Sequence, residues 1–222
     1  ALWTLDAPAV ALSADQKFSY TYNGAAVTLT AAPSHEAAGA TYEYAWYRDG
    51  GETPMEGQTG STLSLTGVQE SGSYTVRVTA KAGDLTASKD ASLEVEITPA
   101  AVSFVVAQNQ YTYDGAGKAA AVTQSAEDAT QMPQGAFTVA YRKAEEEPVA
   151  KPSQAGTYDI LVTVNNPNFA FSDGTETQTV GALTIDRREV TAAWQNLRRT
   201  YGDGQETKVL LSNVAAVGGV TA

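Results

Sequence analysis

Tyr20-Thr-Tyr-Asn-Gly24 returns as Tyr111-Thr-Tyr-Asp-Gly115, and again as Thr200-Tyr-Gly-Asp-Gly204. From Tyr22 to Tyr113 is 91 residues, and from Tyr113 to Tyr201 is 88. A period near ninety residues is the length of one small β-sandwich, so the chain is organised as an array. Arrays of this kind act through spacing and surface more than through one active site. The period divides the 222 residues into a first unit at 1–98, a second at 99–187 and a partial third at 188–222.

Within each period, short alternating runs are punctuated by turn residues. Ala26–Ala31, Thr41–Arg48, Ser61–Thr66, Gly72–Thr79 and Ala91–Ile97 predict strands in the first unit. Tyr74, Val76 and Val78 share one face of one strand, and Leu93, Val95 and Ile97 share one face of another. Alternation with a period of two places one face on a core and the other in water. The second unit repeats the plan at Ala101–Val106, Ala119–Thr123, Ala136–Arg142, Gly156–Thr163 and Gly181–Ile185. The third opens with Arg188–Trp194, and its 35 residues are too few to bury a sandwich core of their own. No run of twelve or more residues carries a helical stripe. The expected fold is therefore all-β, with sandwiches in tandem and short joints near Thr98-Pro99 and Asp186-Arg187.

Composition agrees, with 43% hydrophobic, 9% aromatic and only 18% charged residues. The net charge is −11. The first 98 residues hold 5 basic against 12 acidic residues, and residues 99–187 hold 5 against 10. Residues 188–222 hold 4 against 3. Two acidic units repel phosphate backbones, which argues against a nucleic-acid partner. No apolar run approaches the roughly twenty residues that span a bilayer, so no membrane insertion is expected in this segment. Cysteine is absent, which argues against a disulfide-pinned antibody-type domain.

Two sets of residues carry a resemblance. Tyr44-Ala-Trp-Tyr-Arg48 and Ser71-Gly-Ser-Tyr-Thr-Val-Arg-Val78 resemble bacterial immunoglobulin-like domains. There Trp46 is the expected core residue, and Tyr74 looks like a tyrosine corner, whose hydroxyl ties back to the chain. The second unit resembles the mostly bacterial immunoglobulin-like (MBG-type) repeat of large surface proteins and adhesins. The resemblance rests on Tyr111–Gly115, Ala155-Gly-Thr-Tyr-Asp159, Asn165-Asn-Pro-Asn-Phe169 and Gly181–Ile185. Val190 through Tyr201-Gly-Asp203 resembles the Tyr-Gly variety of the same repeat. The resemblance implies an extracellular or cell-surface setting in a bacterium. It brings no catalytic residues with it.

The Asn-Gly and Asp-Gly pairs supply the positive φ of a tight turn, with the tyrosine ring laid over the core edge. His35 is the only histidine and lies in the Pro33-Ser-His-Glu36 loop. With one histidine and no cysteine, a zinc site of the usual type lacks ligands, and a nucleophile–His–acid triad would have to use His35, with no nucleophile-elbow sequence in the chain. The densest acidic run, Glu145-Glu-Glu147, is expected to splay into solvent rather than converge on a glycosidic bond. Calcium could be met only by acid-plus-carbonyl loops such as Phe171–Glu176 or Tyr201–Gly204. If Tyr42, Tyr44 and Trp46 face the core, Tyr47 faces water with Arg48 beside it at the strand end. Tyr47 and Arg48 are thus the candidate recognition residues.

These readings point to a non-enzymatic structural or adhesive segment of a bacterial cell-surface or secreted protein, with no cofactor. Its expected partners are neighbouring repeats and a host glycan or extracellular-matrix protein. The alternative is a carbohydrate-binding module of a secreted, multidomain glycan-active enzyme.

Overall fold

A computed structural model describes residues 9–14, 19–33, 39–195, 201–202, 204 and 208–212. In chain order its first strands are β1 (Val10–Ala14), β2 (Ser19–Thr21), β3 (Val27–Pro33), β4 (Thr41–Arg48), β5 (Thr62–Leu65), β6 (Gly72–Ala82) and β7 (Leu85–Thr98). Then come β8 (Ala100–Ala101), β9 (Phe104–Ala107), β10 (Gln110–Thr112), β11 (Ala121–Gln124) and β12 (Phe137–Arg142). The last are β13 (Gly156–Val164), β14 (Phe169–Ala170), β15 (Thr177–Asp186), β16 (Thr191–Gln195) and β17 (Lys208–Ser212). A 3-10 turn, Val68–Glu70, precedes β6. Contacts divide the chain into two compact units. Unit 1 is Ala1–Val102 with 127–132 and 166–174, and unit 2 is the remainder.

Unit 1 is a sandwich of two sheets, ordered β1-β3-β5 and β2-β7-β6-β4. The chain crosses between sheets from β3 to β4, back to β5, and over again to β6, which is the immunoglobulin-like winding. Its alternating strands supply the core as the period of two demands. Val27, Leu29, Ala31, Leu63 and Leu65 come from one sheet, and Trp46, Tyr74, Val76, Val78, Val95 and Ile97 from the other. Trp46 is 0% exposed, and its indole N–H donates to the Gly60 carbonyl at 2.9 Å. A buried indole is thereby satisfied without any cross-sheet disulfide.

In unit 2, β10-β15-β13-β12 form one sheet, and β9 pairs with β11 opposite. Tyr141, Tyr158, Ile160, Leu183 and Ile185 form its buried cluster, with Val106 and Val122 packed on it from the smaller sheet. Tyr141 stands one residue before Arg142 and pairs with Ile160, as Trp46 pairs with Val76. It takes the tryptophan's place, and its hydroxyl accepts a hydrogen bond from the Ala120 amide at 2.7 Å. The sequence suggests one strand over Ala101–Val106, but the structure splits it at Val102-Ser103. Ala100–Ala101 pair with β14, whereas Phe104–Ala107 pair with β11. Beyond β15, β16 and β17 form an antiparallel hairpin.

The repeated Tyr-Asx-Gly motif has the same structure both times. β2 runs parallel to the end of β7, with Tyr20 opposite Ile97, and β10 runs parallel to the end of β15, with Tyr111 opposite Ile185. The Tyr22 amide then donates to Thr98 O and the Tyr113 amide to Asp186 O, both at 2.8 Å. Asn23 and Asp114 each accept the amide two residues ahead at 2.9 Å. Gly24 and Gly115 follow at φ +84° and +83°, where a Cβ would be strained. The motif is a clasp that ties the opening strand to the closing one and then turns away. The chain is all-β, built of immunoglobulin-like sandwiches.

Candidate functional site

Strand β4 decides which aromatic residues reach solvent. Its inward positions, 42, 44 and 46, all pack on the unit 1 core. Tyr47 lies on the opposite face, half-buried, against β6 and β7. There Arg77 on β6 and Asp90 on β7 are directly opposite in register. They form a two-point ion pair, with Nε to Oδ1 and Nη2 to Oδ2 both 2.8 Å. The Arg77 guanidinium carbon lies 5.5 Å from the centre of the Tyr47 ring. The hydrogen bond from Arg77 holds the Asp90 carboxyl below the usual carboxylate range, and the same bond raises Arg77 further.

This face also carries a surface depression of about 310 Å³, lined by Tyr47, Gly50, Gly51, Glu52, Thr75, Arg77 and Asp90. The Asp49-Gly50 turn forms its rim, both residues having positive φ. Arg77 and Asp90 cancel each other's charge, so Glu52 leaves the depression acidic. It offers a ring face, a carboxylate and the Thr75 hydroxyl, which shares a hydrogen bond with Ser92 at 2.7 Å. Those groups suit contact with a hydroxylated or cationic ligand.

Arg48 points elsewhere. One of its terminal nitrogens donates to Gln69 O at 2.8 Å and to Ser71 O at 2.9 Å, and its Nε lies 3.2 Å from Asp49 Oδ2. Its guanidinium also sits 5.9 Å from the Tyr74 ring centre. Arg48 therefore braces the turn before β6, where the Tyr74 hydroxyl donates to Glu70 O at 2.5 Å. Unit 2 has the same tie, from the Tyr158 hydroxyl to Gln154 O at 3.0 Å. Burial raises Tyr74 above its ordinary value, outweighing the opposing pull of Arg48. The structure thus separates Tyr47, which lines the depression, from Arg48, which serves the corner.

The remaining sequence candidates do not gather into a site. His35 lies outside the described residues, as does Asp203 of the second loop considered for calcium. Glu145–Glu147 are exposed in the loop after β12, and Asp173 and Glu176 are exposed in the first of the calcium loops. Among the described residues, no group of three or more His, Cys, Asp or Glu side chains is placed to hold a metal ion, and no helix is long and apolar enough to cross a membrane. The Arg77–Asp90 pair went unread in the sequence because its members lie 13 residues apart on different strands. Only the outward parity of both positions hints at it.

No curated protein matches the chain. Among solved structures, the three N-terminal domains of the highly immunogenic outer capsid protein of bacteriophage RB49 align at 16% identity. That alignment covers 96% of this chain and 72% of that one, with a TM-score of 0.34. The N-terminal four Ig domains of Dscam1 isoforms 8.4 and 6.9 align at 15% and 12% identity, with TM-scores of 0.30 and 0.32. Those alignments cover 80% and 81% of this chain but only 46% of each Dscam1 chain, so this chain spans less than half their length. Residues 102–185, which hold the clasp at Tyr113 and the corner at Tyr158, are similar to the MBG domain family.

Proposed function

We propose that the chain is a non-catalytic structural and adhesive segment of a bacterial cell-surface or secreted protein. Its sandwiches serve as repeated struts, and residues 188–222 begin a further repeat. The observation that carries this reading is the reuse of one construction. The parallel clasp, the Asx-Gly turn and the tyrosine corner each occur once in each unit. Those three devices use up the polar reach of Tyr74, Tyr158, Asn23 and Asp114 for folding. The ion pairs Lys81–Glu43 and Arg77–Asp90 likewise join neighbouring strands. Titratable groups held in cross-strand pairs are tied to folding rather than poised for proton transfer.

Adhesion, in this reading, uses the Tyr47 depression. Its partner is a glycan or an extracellular-matrix protein. A glycan-binding module usually needs several exposed rings in one plane. Here Trp46, Tyr74, Tyr141 and Tyr158 are buried, which weighs against the carbohydrate-module alternative. The test is an array of glycans and matrix proteins probed with the full chain and with Tyr47→Ala. A hit lost in the variant supports adhesion through this face. A hit kept in the variant moves the site elsewhere, and an empty array leaves the strut role alone.

A further inference from the structure

Unit 1 contains a seat that is filled by a segment from far along the chain. Asn168 Oδ1 accepts the Val68 amide at 2.8 Å, and the Phe169 ring meets Tyr22 edge-on, with centroids 5.4 Å apart. Ala100 donates its amide to Asn168 O, and Val102 donates to Ala170 O, both at 2.9 Å. Phe169, Ala170 and Phe171 are all buried, and Val102 is only 3% exposed. An Asn-Phe-Ala-Phe turn thus covers the tyrosine of the clasp, the loop of the tyrosine corner and the residues that follow the closing strand.

Unit 2 carries the same seat at the repeat spacing. Tyr113 stands for Tyr22, Gln154–Gly156 for Glu70–Gly72, Asp186 for Thr98, and Arg188-Glu189-Val190 for Ala100-Ala101-Val102. There the surface is open. A depression of about 290 Å³ is lined by Tyr113, Gln154, Ala155, Arg187 and Arg188. Val190 is 52% exposed, where its counterpart Val102 is buried.

We propose that this end of unit 2 is a docking surface for the aromatic turn of another immunoglobulin-like domain, seated as Asn166–Phe171 is seated in unit 1. The aromatic side chain packs on Tyr113 and Val190. Two differences define the partner's chemistry. Pro152 occupies the place of Val68 and has no amide to offer. Arg187 replaces Pro99, so the partner's oxygen acceptor meets a guanidinium group instead. A turn that carries a carboxylate where Asn168 stands suits this seat better than the carboxamide does. The inference is independent of any adhesive ligand, because it concerns the end of the sandwich and not the Tyr47 face.

The test is a nuclear magnetic resonance titration of the isotopically labelled full chain with a cyclised peptide spanning Val164–Gly174. Saturable shifts are expected at the amides of Tyr113, Gln154, Ala155 and Val190, with Tyr22 unchanged because its seat is occupied. A peptide carrying Asn168→Asp should bind about threefold tighter, the order expected of one exposed ion pair. Val190→Asp in the chain, at an exposed position, should abolish the shifts while the rest of the spectrum stays native. Absence of saturable shifts at millimolar peptide, shifts that map away from this seat, or binding unaffected by Val190→Asp would overturn the proposal. Equal affinity for the two peptides would overturn the role given to Arg187.

Discussion

Replacing Tyr74 or Tyr158 by phenylalanine removes one hydroxyl and leaves the ring in place. Tyr74 is 1% and Tyr158 is 6% exposed, so neither variant opens a cavity or changes apolar burial appreciably. What is lost is the bond to the carbonyl four residues earlier, at 2.5 Å in unit 1 and 3.0 Å in unit 2. A net intramolecular hydrogen bond contributes about 0.5–1.5 kcal/mol, and an orphaned buried acceptor costs about 1–3 kcal/mol. Both bonds are only partly buried, so water can reach the released carbonyl. We therefore expect a loss of about 1–2 kcal/mol for each variant. In a domain of this size that lowers the melting temperature by roughly 4–16 °C. Differential scanning calorimetry of the full chain should show Tyr74→Phe lowering the melting of unit 1 and Tyr158→Phe that of unit 2. The shorter bond and the Arg48 brace make the Tyr74 loss the larger. A melt unchanged by either variant would refute the tyrosine corner as a stabilising device in that unit.

Other perturbations address the remaining elements. Trp46→Ala removes the largest side chain of the unit 1 core and its bond to Gly60, and should cost about 3–5 kcal/mol by chemical denaturation. An unchanged midpoint would show that the core is centred elsewhere. Gly115→Val puts a β-branched residue at positive φ and should destabilise unit 2 by about 1–2 kcal/mol, whereas Ala116→Val should be nearly neutral. Asp90 has a lowered pKa in the fold, so its contribution is present above the ordinary carboxylate value and fades as the pH falls through the folded one. Asp90→Asn should therefore flatten the acid limb of the stability profile, and an unchanged limb would contradict the ion pair. Tyr74 and Tyr141 are both raised, chiefly by burial, so their stabilising effect holds below the ordinary tyrosine value and is lost as the pH rises through the folded ones. In an ultraviolet titration they should ionise above the ordinary tyrosine range, together with alkaline unfolding, and early ionisation would contradict their burial.

Local alternation made the long strands legible. Thr41–Arg48 has the expected bounds, and Tyr74, Val76 and Val78 point inward as their period requires. Trp46 was legible because a lone tryptophan amid alternating tyrosines has one natural place. What no local pattern shows is partnership across distance. β2 and β10 are three residues each, too short to carry a signal, and they exist because the ends of β7 and β15 offer them a parallel edge. β8 and β14 are two residues each and exist because each offers the other a parallel edge. The hydrogen bonds of Arg48, a candidate recognition residue by its place at the strand end, are not legible locally, because the carbonyls that engage it lie 21 and 23 residues away. Tyr47 was placed on the outer face by parity alone, while the ion pair beneath its ring needed the strand register.

The account depends most on the clasp, since the repeat spacing, the sandwich winding and the matched ends all follow from it. Amide hydrogen exchange of the full chain, resolved by residue, tests it directly. The Tyr22 and Tyr113 amides should both be protected, with cross-strand nuclear Overhauser contacts placing Thr21 beside Thr98 and Thr112 beside Asp186 in parallel register. Rapid exchange at either tyrosine, or antiparallel contacts to the closing strand, would contradict the claim that the two units share one construction.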